Sequence, residues 1–321
     1  MPMKRALAVL ALGSSMQLQA PPALAQSADQ QQADPAFRAV VTSPLHAPER
    51  GPSVCFDHAH HNFHRLDGRF AAFGNLLRAD GYPLESIDVP FDRRALARCR
   101  LLVIANAQPG DWPWSEYPYP TPPAFDAAEV RVVDRWVRRG GRLLLIADHM
   151  PLAGAAASLA AVFGVEFNDG FAVEDFRTEA EGYAAFLRPT RFALDEGTLR
   201  PHPVTRGRRA EDAVDHVYTF IGQAFQAGPT ASPLLVLPDN FVVLMPRVAW
   251  EFTLETPKRP VGGWLQGATL AHGRGRVAIF GEGAMFTAQI SADGRAMGMN
   301  AREADQNARF TRNLVDWLTR D

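Results

Sequence analysis

The first half of the chain alternates short, continuously apolar runs with amphipathic segments. The apolar runs predict β-strands that are buried on both faces, because such strands lack regular polar positions. The amphipathic segments place apolar residues three or four positions apart and predict helices. The predicted strands are 53–57, 83–89, 100–107 and 142–148, and the predicted helical segments are 67–80, 92–99, 126–141 and 153–164. This β-α-β-α order predicts a doubly wound α/β domain with a mostly parallel, flavodoxin-like sheet.

The second half is less regular but still contains strand patterns. Apolar runs at 233–238 and 241–246 predict two strands, and residues 263–286 predict a hairpin that turns at His272-Gly273-Arg274-Gly275. Residues 303–318 predict a closing amphipathic helix. We therefore expect the C-terminal part to add strands to the same sheet, so that residues 51–321 form a single domain.

The amino terminus has the pattern of a secretory signal peptide. Lys4 and Arg5 precede an apolar stretch that starts at Ala6, and Ala23-Leu24-Ala25 provides a small-residue cleavage site. We expect a signal peptide over residues 1–25, a disordered leader over 26–50, and a periplasmic or secreted protein with no stable membrane span after cleavage. An uncleaved N-terminal anchor is the alternative.

The composition limits the classes of partner. Hydrophobic residues make up 47% of the chain, charged residues 21%, and the net charge is −2. This near-neutral balance gives no electrostatic reason to expect nucleic acid, so the expected partner is a small molecule or a carbohydrate. The sequence contains neither a G-x-S-x-G elbow nor a phosphate-binding G-x-x-x-x-G-K-[ST] loop. The oligomeric state stays open.

The two cysteines are predicted to be unpaired. Cys55 falls near the end of the first predicted strand and Cys99 just before the third. In a parallel sheet these positions would lie at opposite ends, roughly 10–15 Å apart at the usual rise per residue. A disulfide needs Cα atoms within about 7 Å, so we expect two small buried hydrophobic residues.

Polar residues follow several predicted strands, where ligands of open α/β sheets bind. Four histidines stand within seven positions after the first strand. The complete set of strand-end residues is Asp57, His58, His60, His61, Asn62 and His64 after the first strand, Asn106 after the third, Asp148 and His149 after the fourth, and Glu282 after the late strand of the hairpin. Their shared position at one edge predicts a functional site.

The chemistry of the histidine cluster has three interpretations. Asp57, His60, His61 and His149 could bind a divalent metal, with Zn²⁺ as the first candidate, because imidazole and carboxylate ligands suit it. The cluster could instead serve metal-free acid–base chemistry or ligand binding. It could also be a polar loop that caps the next helix. The spacing matches no specific metal motif, and H-E-x-x-H is absent.

Asp148 and Glu282 are the candidate catalytic residues. Either carboxylate could be the general base for a metal-bound water. The alternatives are that Asp148 only caps a helix and that Glu282 is a solvated loop carboxylate. His58, Asn62, His64 and Asn106 are predicted to bind substrate together with Trp112 and Trp114, whose long Pro-rich loop (106–125) could stack on a flat ligand or pack onto the protein body.

Several segments resemble the class I glutamine amidotransferase-like superfamily. They are "WVRRGGRLLLIADH" with the small-residue helix after it, "HPVTRG", "GRGRVAIFGEGAMF" and "NARFTRNLVDWL". They look most similar to an uncharacterised secreted bacterial branch related to soluble domains of gliding-motility and intraflagellar-transport proteins, over residues 52–320. The resemblance implies an α/β fold. Members with amidotransferase activity carry a nucleophilic Cys after a central strand, whereas this chain has Ala147-Asp148-His149-Met150 there, so glutaminase activity is not expected.

Together these features predict an exported, metal-dependent hydrolase of a small or carbohydrate-like substrate. The alternative is a non-catalytic periplasmic ligand-binding or envelope-assembly module of the same superfamily.

Overall fold

The computed structural model describes residues 31–320. The predicted signal peptide, residues 1–25, and the leader as far as residue 30 lie outside the described residues. Within residues 31–320, none of the helices combines the length and apolar character that a membrane span requires.

The structure contains six α-helices and seventeen strands within the described residues, along with short 3-10 turns. The helices are α1 (Ala71–Ala79), α2 (Ala127–Arg138), α3 (Leu152–Ala161), α4 (Glu179–Leu187), α5 (Pro203–Arg206) and α6 (Asn307–Thr319). The strands are β1 (Gln31–Ala33), β2 (Val54–Asp57), β3 (Leu84–Ile87), β4 (Leu101–Ala105), β5 (Arg142–Ile146), β6 (Val165–Phe167), β7 (Phe171–Glu174), β8 (Thr190–Ala193), β9 (His216–Thr219), β10 (Phe225–Ala227), β11 (Ala231–Val236), β12 (Phe241–Leu244), β13 (Lys258–Pro260), β14 (Leu265–His272), β15 (Gly275–Phe280), β16 (Ala288–Ser291) and β17 (Ala296–Gly298).

The centre of the fold is a mixed sheet of nine strands in the order β3-β2-β4-β5-β15-β14-β10-β6, with β11 also paired to β14. The five strands from β3 to β15 are mutually parallel. The pairs involving β14, β10, β6 and β11 are antiparallel. The predicted mostly parallel sheet therefore holds for one half only, and the other half is antiparallel because the hairpin β14–β15 reverses the chain.

Helices cover both faces of the parallel half. Alternate residues of β4 point to opposite faces, so Leu101 and Val103 belong to one apolar cluster and Leu102 to another. Helices α1 and α6 contribute to the first cluster, and α2 and α3 to the second. This layering agrees with an α/β class, in which each sheet face needs an apolar cover.

Three smaller antiparallel sheets surround the central one. They have the orders β1-β16-β17, β13-β12-β7 and β8-β9. Strand β12, which was expected to extend the main sheet, belongs to the second of these instead. Apart from β1, their strands lie in the second half of the chain, where the sequence pattern was less regular.

The segment predicted to be a disordered leader is ordered over residues 31–50. Gln31–Ala33 forms β1 and pairs antiparallel with β16. Phe37 and Val41 pack against a buried cluster that contains Leu76. The polar composition concealed this, because a three-residue strand and isolated apolar contacts leave no periodic signal.

Cys55 and Cys99 form a disulfide with a Cα–Cα distance of 5.6 Å, so the prediction of two unpaired cysteines is wrong. Strand β2 starts at Val54, which places Cys55 near the beginning of its strand rather than near its end. Val54 is in register with Leu101 of the neighbouring strand. Both cysteines therefore lie at the same end of adjacent strands, within bonding distance.

Candidate functional site

Four parallel strands end at one edge of the central sheet and carry polar residues there. Asp57 ends β2, Asn106 follows β4, Asp148 follows β5 and Glu282 follows β15. All four side chains are buried. The strand-end rule therefore located the polar edge of the sheet correctly.

A cavity of about 260 Å³ lies at this edge. Half of the twelve predicted site residues line it: His64, Asn106, Trp114, Asp148, His149 and Glu282. They come from the exits of β2, β4, β5 and β15, which converge only in the folded chain. The cavity is the candidate site.

Two buried carboxyls, Asp148 and Glu282, meet in this cavity. Asp148 Oδ2 accepts a hydrogen bond from the Gly283 backbone N–H at 3.0 Å, and Glu282 accepts from the N–H groups of Ala284 and Met285, each at 2.8 Å. Burial raises the pKa of Asp148. Burial and the neighbouring charge of Asp148 together raise the pKa of Glu282 well above its usual range. Two buried carboxyls in one site cannot both ionise easily, so the pair favours one proton kept and one released.

His149 lies beside the carboxyl pair with a defined tautomer. Its Nδ1–H donates to the Met150 carbonyl oxygen at 2.7 Å, since a carbonyl can only accept. In the neutral ring Nε2 is therefore a hydrogen-bond acceptor, and it lies 4.0 Å from Asp148 Oδ1. The ring stacks on Phe171 with centroids 4.5 Å apart and meets Trp250 edge-on. Aromatic neighbours thus fix the imidazole plane.

Asn106 links the carboxyl pair to His64. Its Oδ1 accepts from the Asp148 N–H at 2.9 Å, and its Nδ2 lies 3.1 Å from His64 Nδ1, which therefore accepts. Burial and the positive charge of Arg69 lower the pKa of His64 well below its usual value, so the ring is neutral near pH 7. Gly283 permits this approach, because a Cβ there would lie 2.7 Å from His64 Cε1.

Strained backbone is concentrated around the cavity. Asn106, Ile221 and Trp250 have φ values of 52°, 80° and 70°, and all three line it. Asparagine tolerates the left-handed region, but a β-branched isoleucine and a bulky tryptophan are costly there. Such strain persists where the surrounding structure overrides it, and it is common at functional sites.

The remaining histidines of the cluster serve other contacts. His60 is buried between Asp57 and Glu129, with Nδ1 2.8 Å from Asp57 Oδ1 and Nε2 2.9 Å from Glu129 Oε1. His58 Nε2 accepts from the Leu66 N–H at 3.2 Å. His61 is exposed. The loop is therefore held mainly by its own imidazoles.

The structure does not bring together the predicted metal ligands Asp57, His60, His61 and His149. Asp57 and His60 are bonded to each other, His61 faces solvent, and His149 lies in the cavity with Asp148. Across residues 31–320 no group of three or more His, Cys, Asp or Glu side chains is arranged to hold a metal ion. A loop, rather than a helix or strand, carries the cluster, so the sequence spacing does not place its side chains on one face.

Three further predicted residues lie outside the cavity. Trp112, which is 44% exposed, lines a neighbouring groove of about 930 Å³, and so does Asn62, whose Nδ2 donates to Asp57 Oδ2 at 3.0 Å. His58 lines neither space. Trp114, in contrast, lines both the groove and the cavity.

The sequence analysis missed the side of the cavity that β1 and the second half of the chain build. This side contains Gln31, Phe186, Arg188, Ile221, Trp250, Gln289, Arg295 and Met297. These residues come from small sheets, from helix α4 and from connecting loops, to which a rule about the ends of parallel strands does not apply.

Comparison with solved structures shows an α/β fold of known type. The mmIFT52 N-terminal domain is similar at a TM-score of 0.56 and 14% identity, with 84% of this chain and 98% of that one covered. A ThuA-like protein from Bacteroides uniformis has a TM-score of 0.41 at 13% identity, covering 89% and 95%. An exo-beta-1,4-mannosidase from Opitutaceae bacterium strain TAV5 has a TM-score of 0.42 at 14% identity, covering 84% of this chain but 36% of that one.

The first of these likenesses agrees in part with the relatives expected from the sequence, since an intraflagellar-transport domain is among the neighbours. It concerns the fold alone. No protein family model matches the chain. No curated protein matches it either.

Proposed function

We propose that the protein binds a small, carbohydrate-like ligand in the strand-end cavity and hydrolyses it with Asp148 and Glu282. The observation that carries this proposal is one cavity in which two buried carboxyls stand among aromatic side chains. Carboxyl pairs perform glycoside hydrolysis, and aromatic rings bind the apolar faces of sugars. No metal is needed for this chemistry.

In the proposed reaction Glu282 is the general acid and Asp148 is the general base. Glu282 keeps its proton, because burial and the Asp148 charge both oppose its ionisation. It would donate that proton to the leaving oxygen as the C–O bond breaks. Asp148 would take a proton from the attacking water as the new C–O bond forms. One water is consumed, and a proton then returns from Asp148 to Glu282.

Further hydrogen-bonding groups complete the cavity. His149 Nε2 can accept a hydrogen bond from a ligand hydroxyl, since its Nδ1–H is already committed to Met150. Trp250 Nε1 and Gln289 Oε1 also belong to cavity-lining residues, and both are buried without a hydrogen-bond partner among the described residues. Buried polar atoms in this state need an explanation, and small movements toward a polyhydroxylated ligand would supply one.

A second candidate function is ligand binding without catalysis. Both oxygens of Glu282 already accept backbone N–H groups at the 3-10 turn Ala284–Phe286. This arrangement also suits a carboxyl whose task is to hold that turn. It favours the binding module predicted as the alternative from the sequence.

A hydrolysis screen separates the two candidates. The purified protein is incubated with neutral gluco-, manno-, galacto- and N-acetylglucosamine oligosaccharides, and the products are measured by mass spectrometry. Hydrolysis should fall by about 10²–10⁴-fold in Glu282→Gln and in Asp148→Asn. Asp169→Asn is the matched control, because Asp169 is a half-buried carboxyl whose pKa is raised by burial and which lies outside the cavity. Sugar binding without any hydrolysis would support the binding module instead.

A further inference from the structure

The cavity adjoins a larger groove. Phe63, Trp114 and Trp250 line both spaces, so these three aromatic residues lie at their common boundary. The groove, at about 930 Å³, has more than three times the volume of the cavity, at about 260 Å³. The cavity is smaller than the roughly 300–1,000 Å³ typical of sites for drug-sized ligands, whereas the groove is near the upper end of that range. A single small ring suits the first space and several rings suit the second.

From this arrangement we infer that the ligand is the end of a neutral oligosaccharide chain, whose terminal sugar occupies the cavity while the next sugars lie in the groove against Trp112. This inference rests on the proposed function and specifies its substrate class.

Trp112 is a pre-organised stacking surface. Its ring packs over Gly110, where a Cβ would lie 3.1 Å from the indole, and it meets Tyr117 edge-on with centroids 5.3 Å apart. Tyr117 is fixed in turn by its hydroxyl, which donates to the Gly110 carbonyl oxygen at 2.7 Å. Despite this support Trp112 is 44% exposed. A rigid, partly exposed aromatic side chain loses little conformational entropy when it stacks on a ligand.

The groove is anchored to the histidine-rich loop through Gln108. Gln108 Oε1 accepts from Trp114 Nε1 at 2.9 Å, and its Nε2 donates to the His61 carbonyl oxygen at 2.7 Å. The aromatic loop is therefore tied to the same loop that delivers His64 to the cavity. The two spaces are held in a fixed relation, as a continuous chain of sugars would require.

The charges of the groove favour a neutral ligand. Arg65 is paired with Asp67 at 3.0 Å, and the Arg69 guanidinium stacks over Phe63 at 4.0 Å. Asp111 and Glu251 line the same groove. Charges of both signs give no preference for polyanions such as nucleic acid. They do supply donors and acceptors for sugar hydroxyls.

The position of the carboxyl pair explains why the chain end is selected. Asp148 and Glu282 line the cavity and not the groove. Gln31 of β1 and Ala296 and Met297 of β17 also line only the cavity. At about 260 Å³ the cavity suits a single sugar ring, so the sugar beside the carboxyls is the terminal unit of the chain.

Isothermal titration calorimetry with the four neutral oligosaccharide series, at lengths of one to six sugars, tests this inference. For a series that binds, the Kd should fall at least tenfold between the monosaccharide and the tetrasaccharide. Trp112→Ala should abolish that gain and leave the monosaccharide Kd unchanged. Tyr119→Ala is the matched control, because Tyr119 is an exposed aromatic residue of the same loop that does not line the groove. Ala296→Leu, which fills the cavity, should weaken every length.

Each outcome decides between the claims. If affinity does not depend on chain length but is lost in Ala296→Leu, the groove does not bind the following sugars, and the cavity proposal stays intact. Length-dependent affinity that Ala296→Leu does not change overturns the cavity proposal, and with it the placement of the terminal sugar, and leaves only the groove as a binding surface. If Trp112→Ala weakens the affinity for every chain length equally, the proposed binding of the following sugars in the groove is overturned. Failure of every series to bind overturns both.

Discussion

His60 Nε2 lies 2.9 Å from Glu129 Oε1, and this contact joins the histidine-rich loop to helix α2. Glu129 also accepts from the Phe91 N–H and forms a capping box with Asp126 at the start of the helix. Asp57 holds the other side of the same imidazole. The dense run of histidines is therefore explained first by structure: one of its members joins three segments, and another, His64, is delivered to the cavity.

Removal of the His60 ring should be strongly destabilising. His60→Ala leaves the carboxyls of Asp57 and Glu129 buried without their cation, and breaking a buried pair in this way costs about 3–5 kcal/mol. His61→Ala, one position away, should change the free energy of unfolding by less than about 0.5 kcal/mol, because His61 is exposed. Urea denaturation of both variants checks this. Equal effects would show that His60 is not a structural link.

The same imidazole predicts how stability depends on pH. Burial lowers the pKa of His60, but hydrogen bonds and charges from Asp57 and Glu129 outweigh burial and raise it. The stabilisation is complete below the unfolded pKa of about 6.5 and is lost as the pH rises through the higher folded pKa. Urea unfolding from pH 5.5 to 8.5 should show this decline in the wild type and a smaller one in His60→Gln. Parallel profiles would contradict the raised pKa.

Glu282 predicts a separate pH effect. Its folded pKa lies well above its ordinary value, so the unfolded chain releases the proton at a lower pH than the folded protein does. Stability should therefore fall as the pH rises from about 4.5 through the raised folded pKa. Glu282→Gln cannot titrate and should lack this component, as measured by thermal melting across the same pH series. A variant whose melting temperature follows that of the wild type at every pH would argue against a proton held on Glu282.

The disulfide should contribute substantially to stability. Cys55 and Cys99 are 44 residues apart, and loop entropy alone assigns such a crosslink about 4 kcal/mol. Reduction of the disulfide and replacement of both cysteines by alanine should each lower the melting temperature, and the two decreases should be similar. Addition of reductant to the double variant is the control and should have no effect. Unchanged melting of the wild type under reducing conditions, with the thiols shown to be free by alkylation, would refute the estimate.

Gly283 is predicted to be essential for the shape of the site. In Gly283→Ala the new Cβ would lie 2.7 Å from His64 Cε1 and 3.1 Å from Asn106 Nδ2. Such overpacking costs about 1–3 kcal/mol and should displace the His64–Asn106 pair. Gly228→Ala is the control, since a Cβ there has its nearest neighbour at 3.6 Å and Gly228 lines neither the cavity nor the groove. Thermal melting measures the cost, and ligand titration shows whether the cavity changes shape.

The parts of the fold with strong periodicity were predictable. Helix α2, Ala127–Arg138, lies within the predicted segment 126–141, and the hairpin turns at the predicted glycines. Buried parallel strands appear as continuous apolar runs, which made β2, β4 and β5 visible. In the antiparallel half, β14 and β11 were predicted, but β6 and β10 were not, because strands of three residues show no alternation and depend on distant partners.

The residues of the candidate site likewise fall into those that the sequence could predict and those that it could not. His64, Asn106, Asp148, His149 and Glu282 were predictable, because strand ends meet at one edge. The metal hypothesis depended on local spacing within a loop, where spacing does not fix geometry. The disulfide was missed because Cys55 was placed near the end of its strand, although the predicted strand, 53–57, differs by one residue from the observed Val54–Asp57, which has Cys55 in its first half. The place of Trp250 in the cavity could not be predicted from the sequence, since it depends on a strained backbone with a φ of 70°.

The pairing of β1 with β16 has a practical consequence for handling the protein. Gln31 is among the first described residues, yet its side chain helps to enclose the cavity. The central sheet takes no strand from this segment. A shortened protein that starts after Ala33 could therefore keep its core and give a normal melting curve while its ligand site stands open to solvent. Trimming of the amino terminus to improve crystals or expression would therefore remove a wall of the cavity without a visible loss of stability.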